Sequence, residues 1–299
     1  MHYTGTIWRP PYEANSLLIE ATAGCTHHSC KFCTLYDDIP FKFRMSPISD
    51  IEADLKEVKE AYGRFGTSKI SRVFLTGANP FVLKYDYLMN IAELIHIYLP
   101  NVKSIGSFAR ITDITLKSDR ELSLLHEAGY DGLTIGMESG DDNALAFMNK
   151  GYTSGDIITQ CGRLDKAGIS YSLFLLIGMA GAGKGEESAK LTADVCNRLN
   201  PILVGPNMLT IYKNSELYNE IKLGNWKEES ETEKYSEIKT LVQMLDIPTV
   251  FAALGASNAF QLYGKLPKDR NKLLNITDEI INNIGEDKLS RYRKNLKHL

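Results

Sequence analysis

The sequence has no apolar run long enough to cross a bilayer. The longest, from Leu173 to Ala182, covers ten residues, whereas a transmembrane helix needs about twenty. The first residues lack the charged and apolar regions of a signal peptide. A large excess of one sign of charge is also missing, because the net charge is only −3. No global positive field therefore attracts nucleic acid or anionic lipid. These absences predict a cytoplasmic protein with no membrane partner and disfavour a nucleic-acid partner.

Cysteine is scarce, with five residues in 299. An odd count disfavours a disulfide framework. Three of the five, Cys25, Cys30 and Cys33, lie within nine residues directly after an apolar, strand-like stretch. Three thiolates so close together suit an iron–sulfur cluster better than zinc, because a cubane takes three protein ligands and leaves its fourth iron open. Zinc bound by Cys25, His28 and Cys30 is the alternative, but no second Cys or His pair with finger-like spacing follows.

Along the chain, short aliphatic or β-branched runs alternate with longer helical patterns. This alternation predicts an α/β protein built from repeated βα units with a parallel sheet. The predicted strands cover residues 16–21, 72–75, 102–108, 133–137, 171–177 and 203–209. The predicted helices cover about residues 47–63, 85–98, 119–128, 153–167 and 186–199, and capping boxes at Ser49–Glu52 and Ser118–Glu121 favour two of these helix starts. Chemistry is expected on the loops that follow the strands.

The cysteine spacing, with Phe32 directly before Cys33, resembles the cluster loop of the radical S-adenosylmethionine (radical SAM) superfamily. The common loop has three residues between the first two cysteines, and this chain has four, Thr26 to Ser29. The resemblance implies that Cys25, Cys30 and Cys33 hold a [4Fe-4S] cluster and that S-adenosylmethionine is the second cofactor, with Phe32 beside it. The six predicted strands match the partial (β/α)6 TIM-like barrel of the superfamily, expected over residues 1–212, and a doubly wound open sheet is the alternative because sequence alone does not fix strand order. Residues 213–299 are expected to form a mostly helical C-terminal subdomain.

The loop after the second predicted strand contains Gly77, Ala78 and Asn79. It resembles the glycine-rich segment of the family that meets the methionine amino group of the cofactor. Gly77 would let the backbone approach a ligand closely. Ala78 and Asn79 replace the usual second glycine and acidic residue, and the side-chain oxygen of Asn79 would accept from an ammonium group. A simple turn closed by Asn79-Pro80 is the alternative.

A second similarity follows the fourth predicted strand. The segment around Glu138, with the later run Met148 to Thr153, resembles the Elp3/MiaB/NifB-like and coproporphyrinogen-dehydrogenase-like branch, whose run reads Met-Asn-Arg-Gly-Tyr-Thr. The resemblance implies that Glu138 holds the ribose hydroxyls or the methionine ammonium of the cofactor by charge-assisted hydrogen bonds. A carboxylate favoured by a helix N-terminus is the alternative.

Three further residues are predicted to bind the cofactor. Gly178 begins the turn that packs near adenine in the family, Arg110 follows the third strand and suits capture of a carboxylate, and Ser172 on the fifth strand would reach the ribose. A surface ion pair is the alternative for Arg110. Residues 178–185 also nearly fit a P-loop, but Gly185 stands where a Ser or Thr must bind magnesium.

The C-terminal part changes character. Residues 227–239 are densely charged and predict a solvated linker or an exposed helix start. Residues 278–299 predict a helix with a basic end.

The resemblance implies an enzyme that cleaves S-adenosylmethionine reductively to a 5′-deoxyadenosyl radical, which abstracts hydrogen from an unidentified substrate. A flavodoxin or ferredoxin is the expected electron donor, and an exposed cluster requires an anaerobic setting. Two alternatives stay open. One is a non-catalytic iron–sulfur or zinc-binding scaffold protein, and the other is a P-loop-like nucleotide-binding protein that uses Gly183 and Lys184. Fold does not identify the substrate.

Overall fold

The computed structural model describes residues 1–295. The last four residues of the helix predicted over 278–299 lie outside the described part. Within it the strands are, in chain order, β1 (Leu17–Glu20), β2 (Thr22–Gly24), β3 (Phe43–Met45), β4 (Arg72–Thr76), β5 (Ser104–Ala109), β6 (Tyr130–Glu138), β7 (Tyr171–Ile177), β8 (Leu203–Met208), β9 (Thr249–Ala253) and β10 (Leu262–Leu266).

The α-helices of the described part alternate with these strands. In chain order they are α1 (Ile48–Thr67), α2 (Tyr85–Tyr98), α3 (Ile111–Ile114), α4 (Asp119–Glu127), α5 (Asp142–Phe147), α6 (Ser154–Ala167), α7 (Gly185–Cys196), α8 (Glu216–Lys222), α9 (Glu231–Met244), α10 (Arg270–Glu279) and α11 (Glu286–Lys294). Short 3-10 turns occupy Pro11–Glu13 and Pro80–Val82, and a π turn occupies Ile280–Ile284. No helix of the described residues is long and apolar enough to cross a membrane.

The chain forms two compact units. Unit 1 comprises residues 1–28, 35–136 and 160–171, and unit 2 comprises residues 29–34, 137–159 and the chain from 172 onward. The strands give an α/β fold with a mostly parallel sheet. In unit 1, β1, β4, β5 and β6 are parallel neighbours in that order. In unit 2, β7, β8 and β9 are parallel neighbours, and β10 is antiparallel to β9.

The strands of unit 1 form because their apolar runs are buried on both faces, as in parallel sheets generally. Ile19, Val73, Phe74, Leu75 and Ile105 are fully buried. A small antiparallel ladder of β2 and β3 pairs Thr22 with Met45. Since β2 ends directly before Cys25 and β3 follows the cysteine loop in the chain, the ladder supports the start of that loop.

An ion pair between half-buried Arg72 and buried Glu13 lies at the end of unit 1 at which these strands begin. Arg72, the first residue of β4, donates to both carboxylate oxygens of Glu13, which is 2% exposed. Its guanidinium also donates to Ser104 Oγ at 2.9 Å and to the carbonyl oxygens of Asp131 and Gly132, each at 3.2 Å. One side chain thus links the starts of three neighbouring strands.

Two local predictions are wrong. The predicted cap Ser49 does not start α1, which begins after Pro47 with no side-chain cap. The charged segment 227–239 contains the start of α9, but it is neither a solvated linker nor an exposed helix start, because Glu229, Lys234 and Glu237 are at most 5% exposed. The Ser118–Glu121 capping box is confirmed, and a second box, Ser230–Glu233, starts α9. The six predicted strands correspond to β1, β4, β5, β6, β7 and β8, while β9 and β10 lie among the C-terminal helices. The predicted division after residue 212 stays a prediction.

Candidate functional site

The first cysteine of the loop is held by the β2–β3 ladder. The Cys25 N–H donates to the Lys42 carbonyl oxygen at 2.9 Å. Gly24, which precedes it, has φ of +77°, and a Cβ there would lie 2.2 Å from the Lys42 carbonyl oxygen. Only glycine tolerates this conformation and this approach. The backbone conformation directly before Cys25 therefore depends on a glycine at position 24.

The residue after Cys25 is held by a carboxamide. Asn79 is fully buried, and its Nδ2 donates to Thr26 Oγ1 at 2.8 Å while its Oδ1 accepts from the Thr26 N–H at 3.4 Å. The same Nδ2 donates to the two carboxylate oxygens of Asp113, at 3.1 and 3.2 Å. The amide group predicted to meet an ammonium is thus engaged with the cysteine loop in unit 1.

Asp113 is itself a buried acid, 1% exposed. Burial raises its pKa to about 6, although hydrogen bonds donated by the Arg110 N–H and by Asn79 lower that pKa in part. Nearby, Lys117 donates to the carbonyl oxygens of Phe81 at 2.6 Å and of Asp113 at 3.3 Å. Burial lowers the pKa of Lys117 to about 8. The carboxylate and the ammonium sit at the base of the loop that carries Asn79.

The structure places the other two predicted residues of unit 1 as follows. Gly77 has φ of +126°, and a Cβ there would lie 2.1 Å from Thr22 Oγ1, so the chain itself already requires glycine. Arg110 precedes α3, and its guanidinium donates to Thr112 Oγ1 at 3.1 Å while its N–H donates to Asp113 at 2.8 Å. The cofactor roles predicted for Gly77 and Arg110 stay predictions.

The remaining part of the cysteine loop, residues 29–34, belongs to unit 2 and is attached there through its backbone. Asn149 Nδ2 donates to the Ser29 carbonyl oxygen at 2.8 Å. The Lys31 N–H donates to the Met148 carbonyl oxygen at 3.1 Å, and the Lys31 carbonyl oxygen accepts from the Leu217 N–H at 2.8 Å. A turn in which the Cys33 N–H donates to the Cys30 carbonyl oxygen at 3.1 Å completes the segment.

A buried lysine joins two of the predicted residues in unit 2. Lys150 is 5% exposed, and its Nζ donates to Glu138 Oε1 at 3.1 Å. The same ammonium lies 5.6 Å from the ring centre of Phe32 and 5.5 Å from that of Tyr152. Both distances are within the range of a cation–π interaction. Lys150 was not predicted as a site residue, although it belongs to the run Met148 to Thr153 that carried the resemblance.

Glu138 has a backbone conformation that glutamate rarely adopts. Its φ is +64°, and the Ser139 N–H donates across it to the Met137 carbonyl oxygen at 2.9 Å. A γ-turn with positive φ is strained, and such strain persists only where the surroundings enforce it. The next residues supply that enforcement, because the Gly140 N–H donates to Thr192 Oγ1 on α7 at 2.8 Å. The turn therefore fixes the backbone that carries the Glu138 carboxylate at the end of β6.

Gly178, directly after β7, has φ of +87°. Its N–H donates to Glu237 Oε2 on α9 at 2.6 Å. Burial is the main cause that raises the pKa of Glu237 well above the usual range of a carboxyl group, and Glu229, whose own pKa burial raises to about 7, adds to it. A buried carboxyl group thus supports the turn that begins at Gly178.

The same loop does not offer the amides of a phosphate cradle. The Gly183 N–H donates to Glu233 Oε1 at 3.0 Å. A Cβ on Gly185 would lie 2.5 Å from Glu229 Oε1, so a second carboxylate covers the start of α7. Anionic side chains occupy the positions that a nucleotide phosphate needs. This geometry disfavours the P-loop alternative.

Ser172 is the second residue of β7 and is 3% exposed. It lies five positions before Ile177, the last residue of the strand, which is about 17 Å of extended chain. The ribose contact predicted for Ser172 stays a prediction.

The three cysteines are half-buried on one loop of nine residues. Their donor set, three thiols in sequence proximity, fits an iron–sulfur cluster chemically. Among the described residues, no group of three or more His, Cys, Asp or Glu side chains is arranged for a metal ion. The assignment of Cys25, Cys30 and Cys33 as cluster ligands therefore stays a prediction that rests on donor chemistry.

The comparisons with known proteins begin with the sequence. The family model described as the radical SAM superfamily matches residues 19–191 of the chain. A curated relative, the heme chaperone HemW of Bacillus subtilis (strain 168), is 23% identical over 156 residues, which are 52% of this chain and 40% of HemW. The family match confirms the resemblance predicted from the cysteine loop.

Solved structures share the fold. The radical SAM methyltransferase TsrM from Kitasatospora setae, with cobalamin and a [4Fe-4S] cluster bound, has a TM-score of 0.56, is 15% identical, and is matched over 82% of this chain and 43% of TsrM. The coproporphyrinogen III oxidase HemN from Escherichia coli has a TM-score of 0.54, is 15% identical, and is matched over 77% of this chain and 52% of HemN. These similarities confirm the predicted α/β fold of a partial barrel. The chain spans less than half the length of HemW and of TsrM.

Proposed function

The chain belongs to the radical SAM superfamily, and from this premise we propose that it is an enzyme that cleaves S-adenosylmethionine reductively and uses the resulting radical on a substrate. Membership supports the two predicted cofactors, a [4Fe-4S] cluster and S-adenosylmethionine. A [4Fe-4S] cluster held by Cys25, Cys30 and Cys33 would supply the one electron that reduces the sulfonium, giving methionine and a 5′-deoxyadenosyl radical. The observation that carries the proposal is the loop with Cys25, Cys30 and Cys33 inside the matched residues 19–191.

In this proposal the three thiolates hold the cluster. Asn149 and Leu217 hold the loop backbone on either side of Cys30. Because these donors and acceptors are already paired, residues 29–34 need little reordering when a cluster binds.

We assign Glu138 to the ribose hydroxyls or the methionine ammonium of the cofactor. The enforced γ-turn and the ion pair with Lys150 fix the direction of its carboxylate. Phe32, in contact with the same ammonium, gives the site an aromatic wall. Gly178 is assigned to the turn near adenine, Gly77 to the loop near methionine, and Arg110 to a carboxylate of cofactor or substrate.

The proposal includes an electron donor and a compartment. A flavodoxin or ferredoxin fits, since the cluster must be reduced at the low end of the range of iron–sulfur potentials. A reducing, anaerobic cytoplasm fits an open iron. The substrate is not identified.

A non-catalytic function is the second candidate, because one relative carries the name heme chaperone. In that case the cluster and S-adenosylmethionine would bind without producing a radical. Formation of 5′-deoxyadenosine separates the two candidates.

The test is anaerobic reconstitution of the full chain with iron and sulfide, followed by electron paramagnetic resonance and assay of 5′-deoxyadenosine after reduction with dithionite. We expect about four irons per chain and formation of 5′-deoxyadenosine. Alanine at Cys25, Cys30 or Cys33 should abolish both signals.

The matched control is Cys196→Ala. Burial raises the pKa of the Cys196 thiol to about 12, so it is not a thiolate at neutral pH, and its loss should leave iron content unchanged. Protein that takes up only zinc, or a cluster that survives loss of all three loop cysteines, would contradict the proposal.

A further inference from the structure

Asn79 stands where the family segment has an acidic residue, yet its carboxamide contacts the cysteine loop through both of its polar atoms. Its Nδ2 donates to Thr26 Oγ1 and its Oδ1 accepts from the Thr26 N–H. A carboxylate at this position would still accept from the Thr26 hydroxyl and N–H, but it would have no donor for Asp113 and would face the buried carboxylate of that residue. An amide is the side chain that satisfies both neighbours at once.

The contact falls on the part of the loop that departs from the common spacing. The four residues between Cys25 and Cys30 run from Thr26 to Ser29, one more than usual. Within these four residues His28 has φ of +44°, which non-glycine residues rarely adopt. Thr26, the first of the four, is the residue to which Asn79 is hydrogen-bonded. A longer loop has more conformations to lose on folding. The hydrogen bonds between Asn79 and Thr26 restrict these conformations next to Cys25.

Asp113 fixes the carboxamide in turn. Its two carboxylate oxygens accept from Asn79 Nδ2, and one of them also accepts from the Arg110 N–H at 2.8 Å. These contacts determine which way the carboxamide faces, because the nitrogen must point to Asp113. The chain of contacts runs from α3 through the loop after β4 to the residue beside Cys25.

We propose that Asn79, oriented by Asp113, is a positioning residue. Its two hydrogen bonds to Thr26, called the lock below, fix the backbone next to Cys25 so that the thiol of Cys25 can bind the cluster. This inference rests on the proposed function, since it concerns how the cluster is held. Together with the Lys42 carbonyl oxygen, which accepts from the Cys25 N–H at 2.9 Å, the lock defines the backbone on both sides of the first cysteine.

The decisive experiment exchanges Thr26 in two ways. Thr26→Ser keeps the hydroxyl acceptor, and Thr26→Val has the same shape without it. After anaerobic reconstitution, each protein is mixed with an iron chelator and loss of the cluster absorbance is followed. We expect Thr26→Val to lose its cluster about threefold to tenfold faster than wild type, the ratio that one hydrogen bond gives, and Thr26→Ser to match wild type.

Asn79→Asp provides the second measurement. It should lose its cluster at least as fast as Thr26→Val, while Asn101→Asp, the same exchange at an exposed turn residue, should match wild type. Circular dichroism of the proteins without a cluster reports whether Asn79→Asp folds. If it does not, the Thr26 pair decides alone.

The outcomes separate this inference from the proposed function. Failure of wild type to bind a cluster contradicts the proposed function itself. A wild-type cluster with equal lability in Thr26→Val, Thr26→Ser and wild type would overturn the lock. A raised KM for S-adenosylmethionine in Asn79→Asp with unchanged lability would also overturn it, because Asn79 would then contact the cofactor directly.

Discussion

At the scale of single residues, Lys150 is a charged side chain that is almost fully buried. Its ammonium is balanced by one carboxylate, Glu138, and by two aromatic faces. Removal of one partner from a buried ion pair leaves an uncompensated charge, which costs far more than the loss of an exposed pair. The same lysine orients the side chain that we assign to the cofactor.

Lys150→Met should therefore lower the free energy of unfolding of the cluster-free protein by about 3 kcal/mol, measured by urea titration. It should also reduce formation of 5′-deoxyadenosine. Lys190→Met is the control, because Lys190 pairs with Glu187 at the surface, where the two side chains are 51% and 70% exposed, and its loss should cost less than about 1 kcal/mol. Equal effects of the two exchanges would refute the importance of burial here.

The sequence predicts single residues well where the chemistry is local. The cysteine loop is recognisable because its spacing is a covalent property of the chain. The partners Thr26 with Asn79 and Phe32 with Lys150 are separated by 53 and 118 positions, and no local pattern joins them. Asp113 had one available signal, its place three residues after Arg110, where a carboxylate can reach back to a helix-start N–H.

At the scale of elements, the strands were predictable because buried parallel strands are continuous apolar runs. The predicted ranges for β4 and β7 differ from the observed ones by at most one residue. The failure at residues 227–239 has a physical cause. A charged helix looks the same in sequence whether water or opposite charges surround it, and here Lys234 meets Glu228 at 2.7 Å and Glu231 at 3.0 Å.

The contact of Arg72 with three strand starts gives a prediction for β6. Gly132 has φ of +72°, and a Cβ there would lie 2.6 Å from Arg72 Nη2. Gly132→Ala should lower the free energy of unfolding by about 2–4 kcal/mol, since it adds backbone strain and displaces the guanidinium that pairs with the buried Glu13 carboxylate. Gly224→Ala is the matched control, with φ of +75° and open space around the new Cβ, and should cost about 1 kcal/mol. Equal costs would show that the guanidinium yields freely.

The acids that hold the loop between β7 and α7 give a pH prediction. Burial raises the pKa of Glu229 from 4.5 to about 7, and Glu237, Glu233, Glu228 and Lys234 surround it. Between these two pH values the folded chain keeps a proton that the unfolded chain releases, so stability falls as pH rises through that window. The free energy of unfolding of Glu229→Gln minus that of wild type should therefore be about 2–3 kcal/mol larger at pH 8 than at pH 5.

The measurement is urea unfolding at both pH values. Glu187→Gln, at a carboxylate that is 70% exposed, should follow the wild-type profile. A wild-type profile in Glu229→Gln would show that Glu229 is ionised across the whole range.

At the scale of the whole molecule, binding and stability are linked. A ligand that binds only the folded protein stabilises it by about 2.7 kcal/mol at a hundred times its Kd. S-adenosylmethionine at that level should raise the Tm of the reconstituted protein by roughly 5 °C. The protein without a cluster should respond less, because it lacks the open iron. An equal response to ATP with magnesium would instead favour the nucleotide-binding alternative.

The ion pair of Arg72 with Glu13 has a broader consequence. It secures unit 1 at the end where the strands begin, whereas Gly77, Asn79 and Arg110 follow the ends of those strands. The residues that stabilise the strand starts of unit 1 are therefore not the residues that we assign to the cofactor. Evolution can change the loops after these strands, and with them what the loops bind, without removing the ion pair of Arg72 with Glu13.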